Sequence, residues 1–281
     1  MFMRLVVLAA VMAAALGASC DDLSSQSDCF AQSCSWCTSG AVGDSCVSAE
    51  DAAALPSAVF SCSSSEELTH HSSGSGSKNK SDPTMYVLAY SWTPGFCNTQ
   101  SNDPGCSKPE SYWTNHFTLH GLWPQYTTSG YPHDCTNEAF DPKSPEAVGM
   151  DTMNKYWPNV QASEGSSDYD DFWTHEWTKH GTCSGLAQTD YFNTTINLAA
   201  TFGTPSIFTE NTGKSVNADD LRTALGGSTK ATLICSGGKS LTGAYTCWSQ
   251  QAGVPTAQVT CPSDVQKEDT CSSSTITIDS M

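Results

Sequence analysis

The sequence predicts an α+β domain that follows a small disulfide-rich module, and three observations lead to this prediction. Strand-like runs lie near both ends of the longer, C-terminal part of the chain, with helical patterns between them, which is typical of α+β domains. The 281-residue chain contains 14 cysteines, an even number that is far above ordinary usage. A serine-rich stretch divides these cysteines into groups of six and eight, so each part can close its own disulfides.

The first 18 residues have the pattern of a secretory signal peptide. A short charged start, Met1 to Arg4, precedes an apolar run from Leu5 to Leu16, and small residues follow. This run is too short to cross a bilayer, and no other stretch reaches the roughly 18 apolar residues of a membrane helix. We therefore expect residues 1–18 to be a signal peptide. The mature protein would be secreted or enter an acidic vesicular compartment, without a membrane partner and with paired cysteines.

Residues 19–62 are expected to form the disulfide-rich module. The segment is too small for a hydrophobic core of its own, so three disulfides would hold it together. Its cysteines are Cys20, Cys29, Cys34, Cys37, Cys46 and Cys62. The Cys34-Ser35-Trp36-Cys37 spacing also occurs in redox and zinc pairs, but a redox pair needs a βαβ unit, for which the segment has no room. Structural disulfides are therefore the favoured interpretation, and an unknown ligand of this module stays a hypothesis.

The C-terminal domain is predicted to occupy residues 84–281, after a flexible linker at residues 63–83 that is rich in serine and lacks apolar periodicity. Its first strand would be the run from Met85 to Trp92. A second strand is expected from His116 to Leu122, closed by Pro124. Four short β-like runs follow near the end of the domain, at 231–234, 244–248, 257–260 and 275–278.

Three helices are expected between the first two strands and these later runs. The first would extend from Ser144 to about Trp157, where a proline ends it. The second would extend from about Asp170 to His180, with Gly181 as its left-handed cap. The third would extend from Asn217 to Leu225, before two glycines.

The formal net charge of -17 argues against a broad basic surface for binding nucleic acid. It allows nucleic acid as a transient substrate if cationic groups are concentrated in one cleft. An acidic surface also loses much of its charge as its carboxylates protonate, at about pH 4–5. The composition is therefore compatible with work in an acidic environment.

The helix around residue 175 carries the most informative pattern. At about 100° per residue, His175, Glu176, Lys179 and His180 fall within about 140° of one another and share one face. Tryptophans on the adjacent side would anchor the helix against a core. Such crowding adds desolvation and like-charge repulsion, so it indicates a functional site rather than an ordinary exposed charged face.

A zinc-protease helix is the alternative that this pattern suggests. That helix needs two histidines at i and i+4 with a glutamate between them. Here His175 and His180 are five residues apart, and Lys179 occupies i+4, where a cation would oppose a metal ion. We therefore expect no metal and no cofactor.

A further histidine lies in the segment from Phe117 to Pro124. In a strand, Thr118 and His120 share one face. Gly121 leaves room for a close approach beside His120, and Trp123 offers a flat surface just after it. A lone histidine on a strand is more often structural, but together with the helix it indicates a shared site.

These two segments, Phe117 to Pro124 and Phe172 to Cys183, closely resemble the two catalytic segments of the ribonuclease T2 family of secretory acid ribonucleases. The similarity extends over roughly residues 84–281 and includes the opening strand and Lys155-Tyr156-Trp157-Pro158. The resemblance implies a T2 ribonuclease-like α+β fold, in which helices pack against a central antiparallel sheet.

The resemblance also implies a monomeric endoribonuclease that cleaves single-stranded RNA through 2′,3′-cyclic phosphates to 3′-phosphates. Its catalytic residues would be His180 as general base, His120 as general acid, His175 as phosphate ligand, and Lys179 and Glu176 as stabilisers of the charged transition state. Two imidazoles and a lysine supply this chemistry without a metal. DNA lacks the 2′-hydroxyl nucleophile and would not be cleaved.

The charge state of His180 is open at this point. Its place at a helix C-terminus favours the protonated imidazole through the helix dipole, whereas Lys179 beside it disfavours that form.

Base recognition is expected from Trp123, Gln125 and Tyr131. Trp123 and Tyr131 match positions at which family members sandwich a base, and stacking tolerates any base, so low base specificity is expected. Family members often have Asp where this chain has Gln125, and an amide offers both a donor and an acceptor. Base preference therefore stays open, and Tyr131 has the alternative role of a loop side chain that covers the core.

The resemblance implies four disulfides in the domain: Cys97–Cys106, Cys135–Cys183, Cys235–Cys271 and Cys247–Cys261. Spacing alone could not select this connectivity. Sequons at Asn79 and Asn193 predict a glycoprotein. The alternative function is a secreted binding or signalling protein with the same fold, in which catalysis is incidental.

Overall fold

The computed structural model describes residues 19–23, 29–30, 32–38, 45–55, 61–64, 83 and 85–281. The expected signal peptide and most of the expected linker lie outside these residues. The chain divides into two compact units, the first with the N-terminal cysteine-rich segment and the second with the remainder to Met281. None of the helices in the described part of the chain has the length and apolar character needed to span a bilayer.

The described residues of the first unit include a small antiparallel sheet and a short helix. Its strands are β1 Ser35–Thr38, β2 Ser45–Val47 and β3 Ser61–Ser64, in the order β2-β1-β3. Helix α1 is Ala49–Ala54. Three disulfides join Cys20 to Cys34, Cys29 to Cys46 and Cys37 to Cys62. Cys34 and Cys37 therefore have different partners, and their spacing provides no thiol pair for redox or zinc chemistry.

A seven-stranded sheet forms the centre of the second unit. Its strands are β4 Met85–Ser91, β5 Thr118–Gln125, β6 Lys214–Asn217, β7 Ala231–Ser236, β8 Ser240–Gln251, β9 Val254–Gln258 and β10 Thr275–Ile278. The main path is β5-β4-β8-β10-β6, and both β7 and β9 also pair with β8. The pairings are antiparallel except that of β10 with β8, which is parallel at Thr277 and Ser240.

Helices pack around this sheet and complete the domain. They are α2 Thr93–Cys97, α3 Pro104–Ser107, α4 Lys143–Val148, α5 Met150–Tyr156, α6 Asp171–Lys179, α7 Gln188–Phe202, α8 Ser206–Thr209, α9 Ala218–Ala224 and α10 Ser263–Lys267. The predicted α+β class is confirmed, with a central, largely antiparallel sheet and packed helices.

Several predicted elements have different bounds in the structure, and two of these differences have a clear physical reason. The helix predicted from Ser144 to Trp157 is two helices, α4 and α5, because Gly149 between them has a φ of 108° that no helix can hold. Strand β5 continues through Pro124, where the prediction ended it. A proline is tolerated there because β5 lies at the end of the sheet path, so its missing N–H removes no bond from a central ladder.

Gly181 does not have the predicted role of a left-handed cap. Helix α6 passes directly into the 3-10 turn Gly181–Cys183. A Cβ at Gly181 would overlap the Trp177 ring and press on Tyr191. The glycine is needed for close packing.

Helix α7 was not predicted, although it is the longest helix of the described chain. Its buried positions are Gln188, Tyr191, Phe192, Thr195, Ile196 and Ala199. Thr195 is fully buried, and its hydroxyl donates to the Tyr191 carbonyl at 2.8 Å. Polar residues on the buried side weaken the apolar periodicity that identifies a helix from sequence.

Disulfides and tryptophans dominate the interior of the second unit. Its disulfides are Cys97–Cys106, Cys135–Cys183, Cys235–Cys271 and Cys247–Cys261. These are the pairs that the family resemblance implies. Among the largest fully buried side chains are Trp92, Trp157, Trp173 and Trp177.

Candidate active site

Two hydrogen bonds from buried indoles hold β5 and α6 together. Trp157, the residue after α5, donates from Nε1 to the carbonyl oxygen of His120 at 2.9 Å. Trp173 on α6 donates from Nε1 to the carbonyl oxygen of Trp157, also at 2.9 Å. We call this pair of bonds the tryptophan link. Both donors are fully buried, so the two segments are aligned by the core.

Glu176 lies at the centre of the residues that the link brings together, and it is 0 % exposed. Its Oε2 accepts a hydrogen bond from Trp123 Nε1 at 2.8 Å, and its Oε1 lies 3.5 Å from His120 Nε2. Gly121 makes this approach possible, because a Cβ there would overlap the Glu176 carboxylate and crowd the Trp123 indole. The strand therefore needs a glycine beside the histidine.

Lys179, His180 and His175 lie at the C-terminal end of the same helix. Lys179 is 4 % exposed and His180 is 1 % exposed, whereas His175 is half-buried. The ring centroids of the two histidines are 6.5 Å apart. Within the described chain, Lys179 Nζ and both ring nitrogens of His180 have no hydrogen-bond partner. Buried polar atoms without partners are unfavourable, and an anionic ligand would provide acceptors for the Lys179 ammonium and for the ring N–H of His180.

Burial is the largest cause of each pKa shift in this cluster. It lowers the pKa of His120 to about 3 and that of His175 to about 4, and the positive charge of Lys179 acts in the same direction. It raises the pKa of Glu176 to about 8, against the opposing effects of the Trp123 hydrogen bond and of Lys179. It also lowers the pKa of Lys179. The imidazoles therefore bind protons weakly until a negative charge lies next to them.

The structure answers the question of the His180 charge state. His180 is the C-cap residue of α6, where the helix dipole favours a cation. Its pKa is nevertheless lowered well below the ordinary value, by burial first and then by the charge of Lys179. Burial therefore favours the neutral ring, which is the form that accepts a proton.

The three residues expected to bind a base have different environments. Trp123 is 3 % exposed and stacks on the His180 ring, with centroids 5.1 Å apart and planes at 26°. Gln125 is 4 % exposed and ends β5. Tyr131 is half-buried, with its ring centroid 6.0 Å from that of His180. The enclosed indole of Trp123 and the half-buried ring of Tyr131 differ in the surface that they expose, and the stacking role expected of both stays a prediction.

Asp134 is a residue of this site that the sequence reasoning missed. Its backbone has a φ of 49°, and its N–H donates to the Lys179 carbonyl at 2.9 Å. Its carboxylate acts to raise the pKa of His175 and of Lys179. The available signal was the implied bridge between Cys135 and Cys183, which places the neighbours of one cysteine beside those of the other.

His116 lies outside the cluster. Its ring stacks on Tyr112, with centroids 4.3 Å apart, and its Nδ1 pairs with Asn115 Oδ1 at 2.7 Å. This histidine precedes β5 and serves as a natural control for the histidines of the site.

The sequence model of the ribonuclease T2 family matches residues 83–261, which include both candidate segments. Intracellular ribonuclease LX from Solanum lycopersicum is 35% identical over 119 residues, which are 42% of this chain and 48% of that protein. Ribonuclease 1 from Arabidopsis thaliana is 36% identical over 149 residues, which are 51% of this chain and 55% of that protein. The chain thus spans about half the length of the curated relatives that it matches.

The fold is also similar to that of solved ribonucleases. A mutant of RNase MC1, a protein from the seeds of bitter gourd, was solved in complex with 5′-UMP. It has a TM-score of 0.55 and 22% sequence identity to this chain, with 70% of this chain and 99% of the other covered. At this level of identity the match establishes a common fold.

Proposed function

The chain belongs to the ribonuclease T2 family, and from this premise we propose that it is a secreted endoribonuclease. The proposed reaction is cleavage of single-stranded RNA by transphosphorylation. It yields 2′,3′-cyclic phosphates and then 3′-phosphates, with low base specificity and with no metal or cofactor. DNA is not a substrate, because it lacks the 2′-hydroxyl that attacks the phosphate.

One observation carries this proposal: the buried nitrogens of Lys179 and His180, which have no hydrogen-bond partner among the described residues, lie on the helix that also holds His175. A buried ammonium beside imidazole nitrogens, in a chain with a formal net charge of -17, suits one anionic group rather than an extended nucleic-acid surface. A phosphodiester supplies that single charge.

The proton transfers follow from the placement of the two imidazoles. His180, neutral because of burial, takes the proton of the 2′-hydroxyl while its oxygen forms a bond to phosphorus. His120 gives a proton to the 5′-oxygen as the bond from phosphorus to that oxygen breaks. In the slower second step, water replaces the 2′-oxygen on phosphorus and the two imidazoles exchange roles.

The phosphate is held by His175 and Lys179 in this proposal. Its negative charge offsets their burial, because a nearby anion stabilises the protonated imidazole and the ammonium. Glu176 lies next to His120 and stabilises its protonated form. Donors that are already in place stabilise the negative charge that develops on the phosphorane. Such preorganised electrostatic stabilisation is usually the largest contribution to enzyme catalysis.

Tyr131 is the proposed stacking surface for the base, with Gln125 at the end of β5 as a polar neighbour. Stacking on a tyrosine ring tolerates all four bases, which supports low specificity. Trp123 takes part in the site through Glu176 rather than through the base.

The proposed organisation is a signal peptide at 1–18, a cysteine-rich module at 19–62, a linker at 63–83 and a catalytic domain at 84–281. The disulfides of both units support an oxidising destination, either the cell exterior or an acidic vesicle. The sequons at Asn79 and Asn193 are proposed glycan sites, of which Asn193 is exposed on α7. We propose a monomer, with an unidentified ligand for the N-terminal module.

The test is incubation of the purified protein with single-stranded RNA in excess EDTA at pH 4.5 and pH 7, with the products separated by end-group analysis. Cyclic phosphates that convert to 3′-phosphates are the expected products, and DNA of the same sequence should stay intact. If no cyclic phosphate forms at either pH, the enzyme proposal is wrong. The alternative of a binding or signalling protein would then take its place.

A further inference from the structure

Trp123 contacts three members of the catalytic cluster. Its Nε1 donates to Glu176 Oε2 at 2.8 Å. One face stacks on the His180 ring, and its edge meets the His120 ring with centroids 5.2 Å apart and planes at 79°. The side chain is 3 % exposed, so its functional groups act inside the site.

The two oxygens of the Glu176 carboxylate have different partners. Oε2 is occupied by the indole, which leaves Oε1 for His120 Nε2 at 3.5 Å. His120 and Glu176 can share one proton in two ways, as imidazolium with carboxylate or as imidazole with carboxylic acid. Only the imidazolium form allows His120 to protonate a leaving group.

A donated N–H stabilises a carboxylate more than a carboxylic acid. The indole therefore shifts the shared proton from Glu176 towards His120. Burial acts in the opposite direction, since it raises the pKa of Glu176, and the Trp123 hydrogen bond is the first opposing effect. Gly121, which cannot be enlarged without displacing the carboxylate, keeps this geometry in place.

We propose that Trp123 is a positioning residue for the general acid: its indole N–H orients Glu176 and favours its carboxylate form, which shifts the shared proton towards His120. This inference rests on the proposed ribonuclease function. During cleavage the proton passes from His120 to the 5′-oxygen, the bond from phosphorus to that oxygen breaks, and the neutral imidazole is left beside the carboxylate. Trp123 exchanges no proton in this step.

The experiment compares two substrates that differ in their need for an acid. The dinucleotide UpA has a nucleoside leaving group that must be protonated, whereas uridine 3′-(4-nitrophenyl phosphate) releases a stable phenolate. Trp123→Phe keeps an aromatic ring and removes the N–H. Its kcat on UpA should fall by about 10- to 100-fold, while its kcat on the aryl ester should stay within about 3-fold of wild type. His120→Ala should show the same selectivity more strongly.

Trp173→Phe is the matched control, since it also removes a buried indole N–H, donated in this case to the Trp157 carbonyl. Its effect, per folded molecule, should be similar for the two substrates. An equal loss on both substrates for Trp123→Phe would overturn the proposal, because a base-stacking or purely structural tryptophan does not distinguish leaving groups. Wild-type protein that cleaves neither ester would contradict the ribonuclease function itself.

A double-mutant cycle tests whether Trp123 acts through Glu176. Glu176→Gln should show the same leaving-group dependence, and adding Trp123→Phe to it should reduce kcat on UpA little further. Additive losses would mean that the indole acts by another route, and the proposal would be wrong. If Trp123→Phe does not fold, Glu176→Gln still decides the matter, because an equal loss on both esters removes the basis of the proposal.

Discussion

His120 Nε2 lies 3.5 Å from Glu176 Oε1, where strand β5 passes helix α6. The pair is buried, and the two groups have pKa values shifted in opposite directions, to about 3 for His120 and to about 8 for Glu176. A proton shared by the pair is therefore held by Glu176 until burial is relieved or a negative charge lies beside His120.

Gly121→Ala should damage catalysis more than folding. The added Cβ overlaps the Glu176 carboxylate and forces it away from His120. We expect kcat/KM to fall by about 10²-fold or more, with a loss of about 1–3 kcal/mol in the free energy of unfolding. Gly165→Ala is the control, because its positive φ adds strain but no atom lies within 4 Å of the new Cβ. Near-normal turnover by Gly121→Ala would show that the carboxylate position is unimportant.

His120→Ala and His180→Ala should each lower kcat on RNA by about 10²–10⁴-fold, because each removes one proton-transfer group. Circular dichroism should show a folded protein in both cases. His116→Ala, which removes a ring stacked on Tyr112 outside the cluster, should retain the activity of the wild type. Comparable activity in all three variants would show that neither His120 nor His180 transfers a proton in the reaction.

Glu176→Gln should change how stability depends on pH. The folded pKa of about 8 is raised above the ordinary value of 4.5. The stability contributed by this group is therefore fully present below the unfolded pKa and is lost as pH rises through the folded pKa. The neutral amide removes that dependence, so the Tm of the variant should decline less than that of the wild type across this window, by a difference of roughly a few degrees. Parallel Tm curves for the two proteins would contradict the raised pKa.

Binding of inorganic phosphate or 3′-UMP should take up protons. The pKa values of His120 and His175 are lowered to about 3 and about 4, so both rings are neutral in the ligand-free protein at pH 5.5. A bound anion raises these values and draws protons from solution. Calorimetry in buffers of different ionisation enthalpy measures the number taken up, and His175→Ala should reduce it by up to about one. His116→Ala should leave the number of protons taken up unchanged. Release of protons on binding would contradict the lowered pKa values of His120 and His175.

Removal of the Cys135–Cys183 bridge by serine at both positions should lower stability and raise KM. The bridge closes a separation of 48 residues and ties the loop of Asp134 to the end of α6. We expect a loss of about 2–4 kcal/mol in the free energy of unfolding. The Cys97–Cys106 bridge closes a separation of only 9 residues, and its removal should have a smaller effect on stability and none on KM. Equal KM values for the two double variants would show that the loop of Asp134 does not affect substrate binding.

The sequence predicted the site best where ionisable residues recur at helical spacing. The helical spacing of His175, Glu176, Lys179 and His180 is sufficient by itself to predict four ionisable groups on one face. The distant His120 joins them through the resemblance of two short segments. Its pairing with Glu176 follows from the tryptophan link, whose partners are backbone carbonyls that no residue pattern encodes.

Other features depend on contacts that sequence patterns do not carry. The hydrogen bond from Trp123 to Glu176 and the enclosure of the indole arise from the tertiary fold, whereas the flat side chain alone suggests a base platform. Helix α7 was missed because part of its buried side is polar. Asp134 was missed because its left-handed backbone and its hydrogen bond to the Lys179 carbonyl are features of the tertiary fold that no residue pattern marks.

The tryptophan link also bears on how the molecule loses its structure. A site built on surface loops can open while the rest of the domain stays folded, but here the backbone of His120 is bound to indoles at the centre of the core. Local opening of the cluster would require the core itself to open, so we expect the segments around His120 and Glu176 to be among the most slowly exchanging parts of the domain. Active-site geometry and tertiary structure would then be lost in one cooperative transition. We therefore expect no partly unfolded form that retains turnover.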